Sequence, residues 1–526
     1  MVQIGERGYG SGILRIPIFS PKQYRLKMKN IKFPTAHTIL LIIAALVAVM
    51  TYLVPSGQFD RLGYNKEKKE FTQTGEGDPK IFPATQETLD QLGIKIPLEK
   101  FTSGDIYKPV GIPGTYHSLP AKPQGLKAFI ESPLKGIMQA IDVILFVLII
   151  GGFIGVINHT GAFDAGVAWL AKALKGKESL LIVLITILIA IGGTTFGLAE
   201  ETIAFYPILV PVFLAAGYDA MVALAAIYIG SCMGTMASTV NPFSAIIASD
   251  SAGINWTNGI NGRIFMLVTG VSICLWYIIR YAERVRKDPS RSIIFNQKEE
   301  IEAMFKSKTL DQKHEFTWQI RLVLLIFIGC FIFMIFTVSQ WGWWFLEMTS
   351  IFFVGSVVIG IVAWVGEKAF VKAFVEGAKD LLSVALIIGL ARGITVIMDD
   401  GLISDSLLYS ASGAVEGMSK GVFINVMMFL YAGLSFFIPS SSGMAVLSMP
   451  IMAPLADVVG IGREMVVDAY QYGMGLMAFI TPTGLILASL TMVNVTLDKW
   501  LRFVMPLLLI LTLFTMVVLT VSVYMG

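Results

Sequence analysis

The sequence predicts an all-α integral membrane protein arranged as an inverted repeat, the plan of a secondary transporter. Three observations predict it. The 526 residues are 55% hydrophobic and only 15% charged, where soluble domains carry about a quarter charged residues. The apolar residues come in long blocks, such as Thr38 to Val54, Val143 to Ile157, Leu322 to Val338 and Leu507 to Val523, and a bilayer core needs about 20 per helix. Matched landmarks also recur in the same order in the two halves of the chain.

The elements read in order as follows. Residues 1–33 form a polar, basic tail in which Arg7, Arg15, Lys22, Arg25, Lys27, Lys29 and Lys32 face the single acid Glu6; the positive-inside rule makes it cytoplasmic. Met28-Lys29-Asn30-Ile31-Lys32-Phe33 resembles a bacterial start, so residues 1–27 read as upstream translation or a tail. A first span at 34–54 has no cleavage site after it and reads as retained. Residues 55–125 follow as an external loop. A first repeat occupies 126–282, with spans at 134–158 and 179–191. A basic cytoplasmic connector at 283–318 includes Arg284, Arg286, Lys287, Arg291, Lys306, Lys308 and Lys313. Linking spans fill 319–366, with Trp341, Trp343 and Trp344 as interfacial anchors between them. The second repeat, 367–526, includes a span at 378–398.

The repeat rests on three pairs of landmarks. Gly161-Ala162-Phe163-Asp164 resembles Gly401-Leu402-Ile403-Ser404-Asp405. Tyr206-Pro207 through Pro211 matches Met449-Pro450 through Pro454. Gly234 through Asn241-Pro242 matches Gly473 through Thr481-Pro482. Lys172, Lys175 and Lys177 follow the first repeat's opening span, whereas Lys368, Lys372 and Lys379 precede its counterpart. The two halves should therefore run in opposite directions, with a site near the midplane between them.

Polar, helix-breaking residues interrupt each half twice: Gly192 through Thr202 and Ser238 through Pro242, then Ile438 through Gly443 and Thr481 through Gly484. Backbone that leaves the helix at membrane depth survives only where protein or a watery cavity satisfies it. Small residues at an isolated break also serve close helix packing, but four breaks in repeated positions favour a site. Its expected substrate-binding residues are Thr194, Thr195, Gly197, Glu200, Glu201, Ser238, Asn241, Ser440, Ser441, Ser442, Thr481 and Thr483. Neutral oxygens near Thr195, Asn241, Ser442 and Thr481 could hold Na+. Glu200 and Glu201 are costly at membrane depth and could meet a cation or proton, or simply cap a half-helix. Their counterparts in the second half are Gly443 and Met444. Arg392 with Asp399-Asp400 reads as a structural ion pair, while Asp142 and Asp468 are weaker signals.

Cys232, Cys274 and Cys330 show no ligand spacing and read as buried apolar residues. With no phosphate loop, nucleophile elbow or His-Glu-x-x-His, an enzyme is not expected. No cofactor is expected beyond Na+ or H+ as coupling ion. The partners are a small charged metabolite and the bilayer, with no nucleic acid.

At Gly192-Gly193 through Glu200-Glu201, Asn241-Pro242-Phe243, Ser440-x-Ser442-Gly443 and Met449-Pro450, the chain resembles the YfcC branch of the C4-dicarboxylate anaerobic carrier (DcuC-like) family. That family is related to arginine/ornithine antiporters within the ion-transporter superfamily. The resemblance covers residues 30–526. It implies an inner-membrane homodimer, a fixed scaffold, and a transport domain with two re-entrant helical hairpins that moves as an elevator. It leaves basic amino acid exchange and Na+- or H+-coupled dicarboxylate uptake both open. The glutamate pair, with no Lys or Arg in the four breaks, favours basic amino acids. A membrane-embedded enzyme or channel is the remaining, motif-less reading.

Overall fold

The computed structural model describes residues 34–75, 77–103, 106, 109–163, 165, 166, 169, 177–305, 317–341, 343–413 and 417–525. Asp164 and the lysines at 172, 175, 306, 308 and 313 lie outside these. Among the described residues, ten helices are long and apolar enough to cross a membrane.

Helix α1 (Ala36–Leu53) starts where Thr35 caps it, its hydroxyl accepting the Thr38 N–H. The segment after it is not the plain loop of an all-helical chain. It holds strands β1 (Gly57–Gln58), β2 (Arg61–Asn65), β3 (Glu70–Thr74), β4 (Lys80–Pro83), β5 (Val110–Gly111) and β6 (His117–Ser118), with short helices α2 (Gln86–Gln91) and α3 (Leu98–Ser103). The strands form an antiparallel sheet in the order β4-β3-β2-β5 and a separate β1-β6 pair. Alternate residues Leu62, Phe71 and Val110 turn inward and join Leu89, Ile96 and Phe101 in a buried core, so this polar segment folds around a core of its own.

The membrane helices then follow in two series. The first comprises α4 (Leu126–Gln139), α5 (Ile141–His159), α6 (Glu178–Phe196), α7 (Tyr206–Ala215), α8 (Ala220–Met236), α9 (Ile247–Ser251) and α10 (Ile260–Lys287). A connector with α11 (Lys298–Phe305) leads to the linking helices α12 (Trp318–Trp341) and α13 (Phe345–Val362). The second series comprises α14 (Glu367–Asp380), α15 (Leu382–Asp400), α16 (Ser404–Gly413), α17 (Lys420–Phe437), α18 (Ser441–Val459), α19 (Arg463–Ala478), α20 (Ile486–Met492) and α21 (Leu497–Met525). Lengths match closely: α4 and α14 have 14 residues each, α5 and α15 have 19 each, and α10 and α21 have 28 and 29. The sequence span at 134–158 thus divides at Ala140 into an amphipathic helix and a true span.

Glycines let the series interlock. A Cβ on Gly136 of α4 would lie 2.3 Å from the Gly389 carbonyl of α15, and one on Gly377 of α14 would lie 2.2 Å from the Gly151 carbonyl of α5. Each opening helix therefore packs backbone-to-backbone against the span of the opposite series.

Contacts at the two ends of the bundle differ. At one end Ser56 donates to the Gly401 carbonyl (2.9 Å), Lys135 pairs with Asp400 (2.8 Å), and Arg463 donates to the Ala252 carbonyl (2.8 Å). Helix α10, about 42 Å long at 1.5 Å per residue, runs from that end to the other. There Arg286 pairs with Glu178 (3.1 Å), Asp219 accepts from Tyr281 (2.8 Å) and Ser292 (2.6 Å), and Gln297 donates to the Asn494 carbonyl (3.1 Å). Around the expected Arg392 pairing, Asp400 takes Lys135 (2.8 Å) and Asp399 accepts from Ser404 (3.0 Å), with the Arg392 charge also acting on the Asp399 carboxyl.

Candidate functional site

In the first series, α6 ends at Gly197, whose φ of +78 is a left-handed conformation that glycine adopts at little cost. Helix α8 ends at Met236, and Asn241-Pro242 reopens it as a short π-helical turn at 242–246. Proline lacks the N–H needed to continue the helix. The two breaks lock together. The Thr194 hydroxyl donates to the Ala237 carbonyl (2.8 Å), accepts the Thr239 N–H (3.0 Å) and meets the Thr239 hydroxyl (3.1 Å). The Thr194 carbonyl takes the N–H groups of Thr239 and Val240 (both 3.2 Å). Asn241 accepts the Phe243 N–H (2.8 Å) through its side-chain oxygen and turns its amide NH2 toward Ser238 (3.3 Å) and the Gly193 carbonyl (3.4 Å). Gly197 sits directly against this amide, where a Cβ would lie 3.0 Å away.

After Gly197 the chain does not resume an α-helix at once. Residues Glu200–Phe205 form a 3-10 turn before α7 begins at Tyr206. Glu200 is half-buried, and Glu201 is 8% exposed with its carboxylate folded back onto the Ala199 N–H (3.1 Å). One glutamate thus serves the capping role, while Glu200 opens the turn. The turn packs against α5, which carries Asp142 in its first turn.

The second series repeats the lock with different residues. Ser440 caps α18, accepting the Gly443 N–H (3.2 Å). Thr481 and Thr483 share a hydrogen bond (2.7 Å), and Thr483 donates to the Phe436 carbonyl at the end of α17 (2.7 Å). Here α18 is helical from Ser441 onward. Among the described residues, a 3-10 turn precedes α7 and none precedes α18.

The halves meet at their breaks. Gly475 of α19 lies against Met236, the last residue of α8. Tyr228 of α8 donates to the Ala478 carbonyl (2.7 Å) at the second break, and Tyr470 of α19 donates to the Ser441 carbonyl (2.8 Å). Ser231 donates to the Leu198 carbonyl (2.5 Å). These polar ties were not legible in the sequence, because a lone tyrosine or serine in an apolar helix reads as packing. Two expected residues look inward to their own backbone: Thr195 donates to the Ile191 carbonyl (2.7 Å) and Ser238 to that of Thr235 (2.6 Å). Ser442 is buried one residue inside α18. Asp468 pairs with the fully buried Arg263 (3.4 Å), whose guanidinium also donates to the Trp256 carbonyl (2.6 Å) and the Asn258 carbonyl and so pins the loop before α10.

A bundle of candidate spans whose broken helices interlock at matched positions defines a multi-pass membrane protein of the transporter class. A model of the C4-dicarboxylate anaerobic carrier (DcuC) family matches residues 33–524, and the chain belongs to that family. It is 43% identical over 500 residues to an uncharacterized protein of Haemophilus influenzae, covering 94% of this chain and 98% of that one. It is 30% identical over 514 residues to the putative basic amino acid antiporter YfcC of Escherichia coli, covering 94% and 97%. Among solved structures, the YdaH transporter of Alcanivorax borkumensis aligns with a TM-score of 0.40 and 13% identity, over 94% of this chain and 99% of that one. MtrF of Neisseria gonorrhoeae aligns with a TM-score of 0.37 and 16% identity, over 94% and 96%.

Proposed function

We propose that the chain is a secondary antiporter of basic amino acids, of the arginine/ornithine kind. The observation that carries this reading is the charge at the first break. Glu200 and Glu201 occupy the loosened turn, which packs against the helix that carries Asp142, and none of the four breaks contains Lys or Arg. Carboxylates crowded in a low-dielectric site are stabilised by an incoming cation. The substrate's own carboxylate would meet backbone N–H groups at half-helix N-termini, such as the start of α18. The description of the Escherichia coli relative as a putative basic amino acid antiporter agrees with this reading.

What supports an inverted arrangement is the placement of ends. Lys135, in the helix before α5, pairs with Asp400, where α15 finishes, which supports matching helices of the two series running in opposite directions. Arg284, Arg286 and Lys287 at the far end of α10 favour that end as cytoplasmic. In this reading the protein lies in the inner membrane with its N-terminus inside. α6–α7 and α17–α18 are re-entrant hairpins of a mobile unit, which moves as an elevator against a scaffold in a homodimer.

The family description supplies the second reading, a C4-dicarboxylate carrier coupled to Na+ or H+. The neutral oxygens of Thr195, Asn241, Ser442 and Thr481 would then serve the ion. Thermal stabilisation of detergent-purified protein separates the two. Arginine, ornithine or lysine should raise the melting temperature while succinate and fumarate leave it unchanged; the reverse pattern overturns the basic-substrate reading.

A further inference from the structure

One face of α19 gathers the acids and the amide of that helix. Glu464, Asp468, Gln471 and Gly475 recur at i, i+4, i+7 and i+11, the spacing of a single helix face. All four meet the first series. Gly259, just before α10, lies against two of them: an added Cβ there would sit 3.2 Å from the Glu464 Cβ and 3.6 Å from Asp468 Oδ2. Gln471 donates to Ser244 in the π-helical turn (3.5 Å), and Gly475 lies against Met236. The face therefore runs from half-buried Glu464, at the end of the bundle where Arg463 reaches Ala252, down to the first break.

The middle of this face is closed off from water yet incompletely bonded. Asp468 is 3% exposed, Gln471 2% and the facing Arg263 0%. Arg263 Nε approaches Asp468 Oδ1 at 3.4 Å without hydrogen-bond alignment. Among the described residues, that oxygen, Arg263 Nε and Nη1, and Gln471 Oε1 have no hydrogen-bond partner. Buried groups left in this state are rare in folded proteins. An ion pair taken out of water needs good geometry and further hydrogen bonds to offset its desolvation. The loop before α10 hangs on Arg263 Nη2, which bonds the Trp256 and Asn258 carbonyls, so the carboxylate adds no bond to that role.

We infer that Asp468 is a proton-binding site on a path from that end of the bundle to the first break, with Glu464 as its entrance and Gln471 and Ser244 as its exit. Side chains this closed off suit a proton, which travels on hydrogen bonds, and not a solute. As a carboxylate, Asp468 neutralises Arg263. A proton arriving through Glu464 converts it to the carboxylic acid and leaves Arg263 an uncompensated buried charge. That state favours parting α19 from the start of α10. Passing the proton on, to a water held by Gln471 Oε1 and the Ser244 hydroxyl, restores the pair, so proton and conformation are coupled. Arg263 and Glu464 are the charges that face Asp468. Of the other elements packed on α19, α8 and the π-helical turn carry no charged side chain. Asp457 of α18 is bound by Arg463, Asp250 of α9 by Lys100, and Lys420 of α17 lies against Gly460. Asp498, Lys499 and Arg502 of α21 flank Trp500, which donates to the Phe479 carbonyl at the far end of α19 (2.8 Å). The inference rests on the transporter class and not on the choice of solute.

Infrared spectra of the purified protein in lipid test the site without any solute. As pH falls, the wild type should gain a carboxylic acid C=O band that Asp468→Asn lacks. Identical spectra across the pH range in which both are folded overturn the site. Where Asp468→Asn leaves Arg263 unpaired and fails to fold, the double variant Arg263→Gln with Asp468→Asn removes both charges and takes its place. Transport tests the path. Proteoliposomes are given pH gradients of either sign and labelled arginine or labelled succinate, and counterflow of the same solute is followed with no gradient. Gln471→Leu, which leaves the ion pair alone, should lower gradient-driven accumulation roughly tenfold or more and keep counterflow. Loss of both together, or of neither, overturns the path. If neither solute is carried while the band still titrates, the substrate reading fails and the proton site stands.

Discussion

Replacing Thr194 with valine tests whether the two breaks of the first series form one unit. Valine keeps the shape of threonine and removes only the hydroxyl. Thr194 is 4% exposed, and its hydroxyl makes three contacts with the α8 break, to the Ala237 carbonyl, the Thr239 N–H and the Thr239 hydroxyl. The Thr239 N–H keeps the Thr194 carbonyl as a partner, so it is not orphaned, but the Ala237 carbonyl loses its side-chain donor. Hydrogen bonds between membrane helices are worth about 0.6 kcal/mol each on average, so three lost bonds cost about 2 kcal/mol. Thermal unfolding in detergent should show Thr194→Val melting several degrees below wild type. Thr195→Val is the control, because the Thr195 hydroxyl donates only within its own helix and its loss should leave the melting point nearly unchanged. If the two variants melt together, the breaks are not held by this lock.

Three further outcomes follow from particular residues. Gly136→Val drives a side chain into the Gly389 carbonyl and the Gly393 N–H, both 2.3 Å from the new Cβ, and should cost about 1–3 kcal/mol by overpacking; Gly433→Val, with no atom within 4 Å, should not, and equal melting points refute the close crossing. Burial pushes the Asp219 carboxyl above its usual 3.8, against the hydrogen bonds of Ser292 and Tyr281 that lower it. The folded protein therefore holds that proton more tightly than the unfolded chain, and this contribution is fullest below the usual value and fades as pH rises through the raised one. Asp219→Asn should flatten the fall in melting point as pH rises above the usual carboxyl value, and an unchanged slope contradicts the assignment. Glu200→Gln should weaken basic amino acid exchange more than Glu201→Gln, because Glu201 is engaged with the Ala199 N–H; equal and intact exchange in both removes the charge-pairing idea.

Much of the fold was legible because a bilayer demands long apolar helices and tolerates breaks only at special places. The blocks around Val143, Leu322 and Leu507 became α5, α12 and α21, and the breaks at Gly197, Asn241-Pro242 and Thr481-Pro482 fell where glycine and proline placed them. The sheet in the segment after α1 was not legible although Arg61-Leu62-Gly63-Tyr64-Asn65 and Glu70-Phe71-Thr72-Gln73-Thr74 do alternate. Five-residue strands inside a polar stretch give a weak periodic signal, and their core comes from distant Leu89 and Phe101. In the site, the threonines, Asn241 and the glutamates stood out as polar residues in apolar surroundings. Tyr228, Ser231 and Tyr470 did not, since their partners are backbone carbonyls of distant segments. The different start of the two return helices, a 3-10 turn at Glu200 against continuous helix at Ser441, has no marker in the sequence beyond the glutamates themselves.

The most direct test of the proposed function is counterflow in proteoliposomes. Vesicles loaded with unlabelled ornithine, arginine or succinate, or left empty, are given labelled arginine outside. Accumulation that requires internal ornithine or arginine, and is lost in Glu200→Gln, is the predicted result. Labelled succinate accumulating against internal succinate, with arginine excluded, contradicts it.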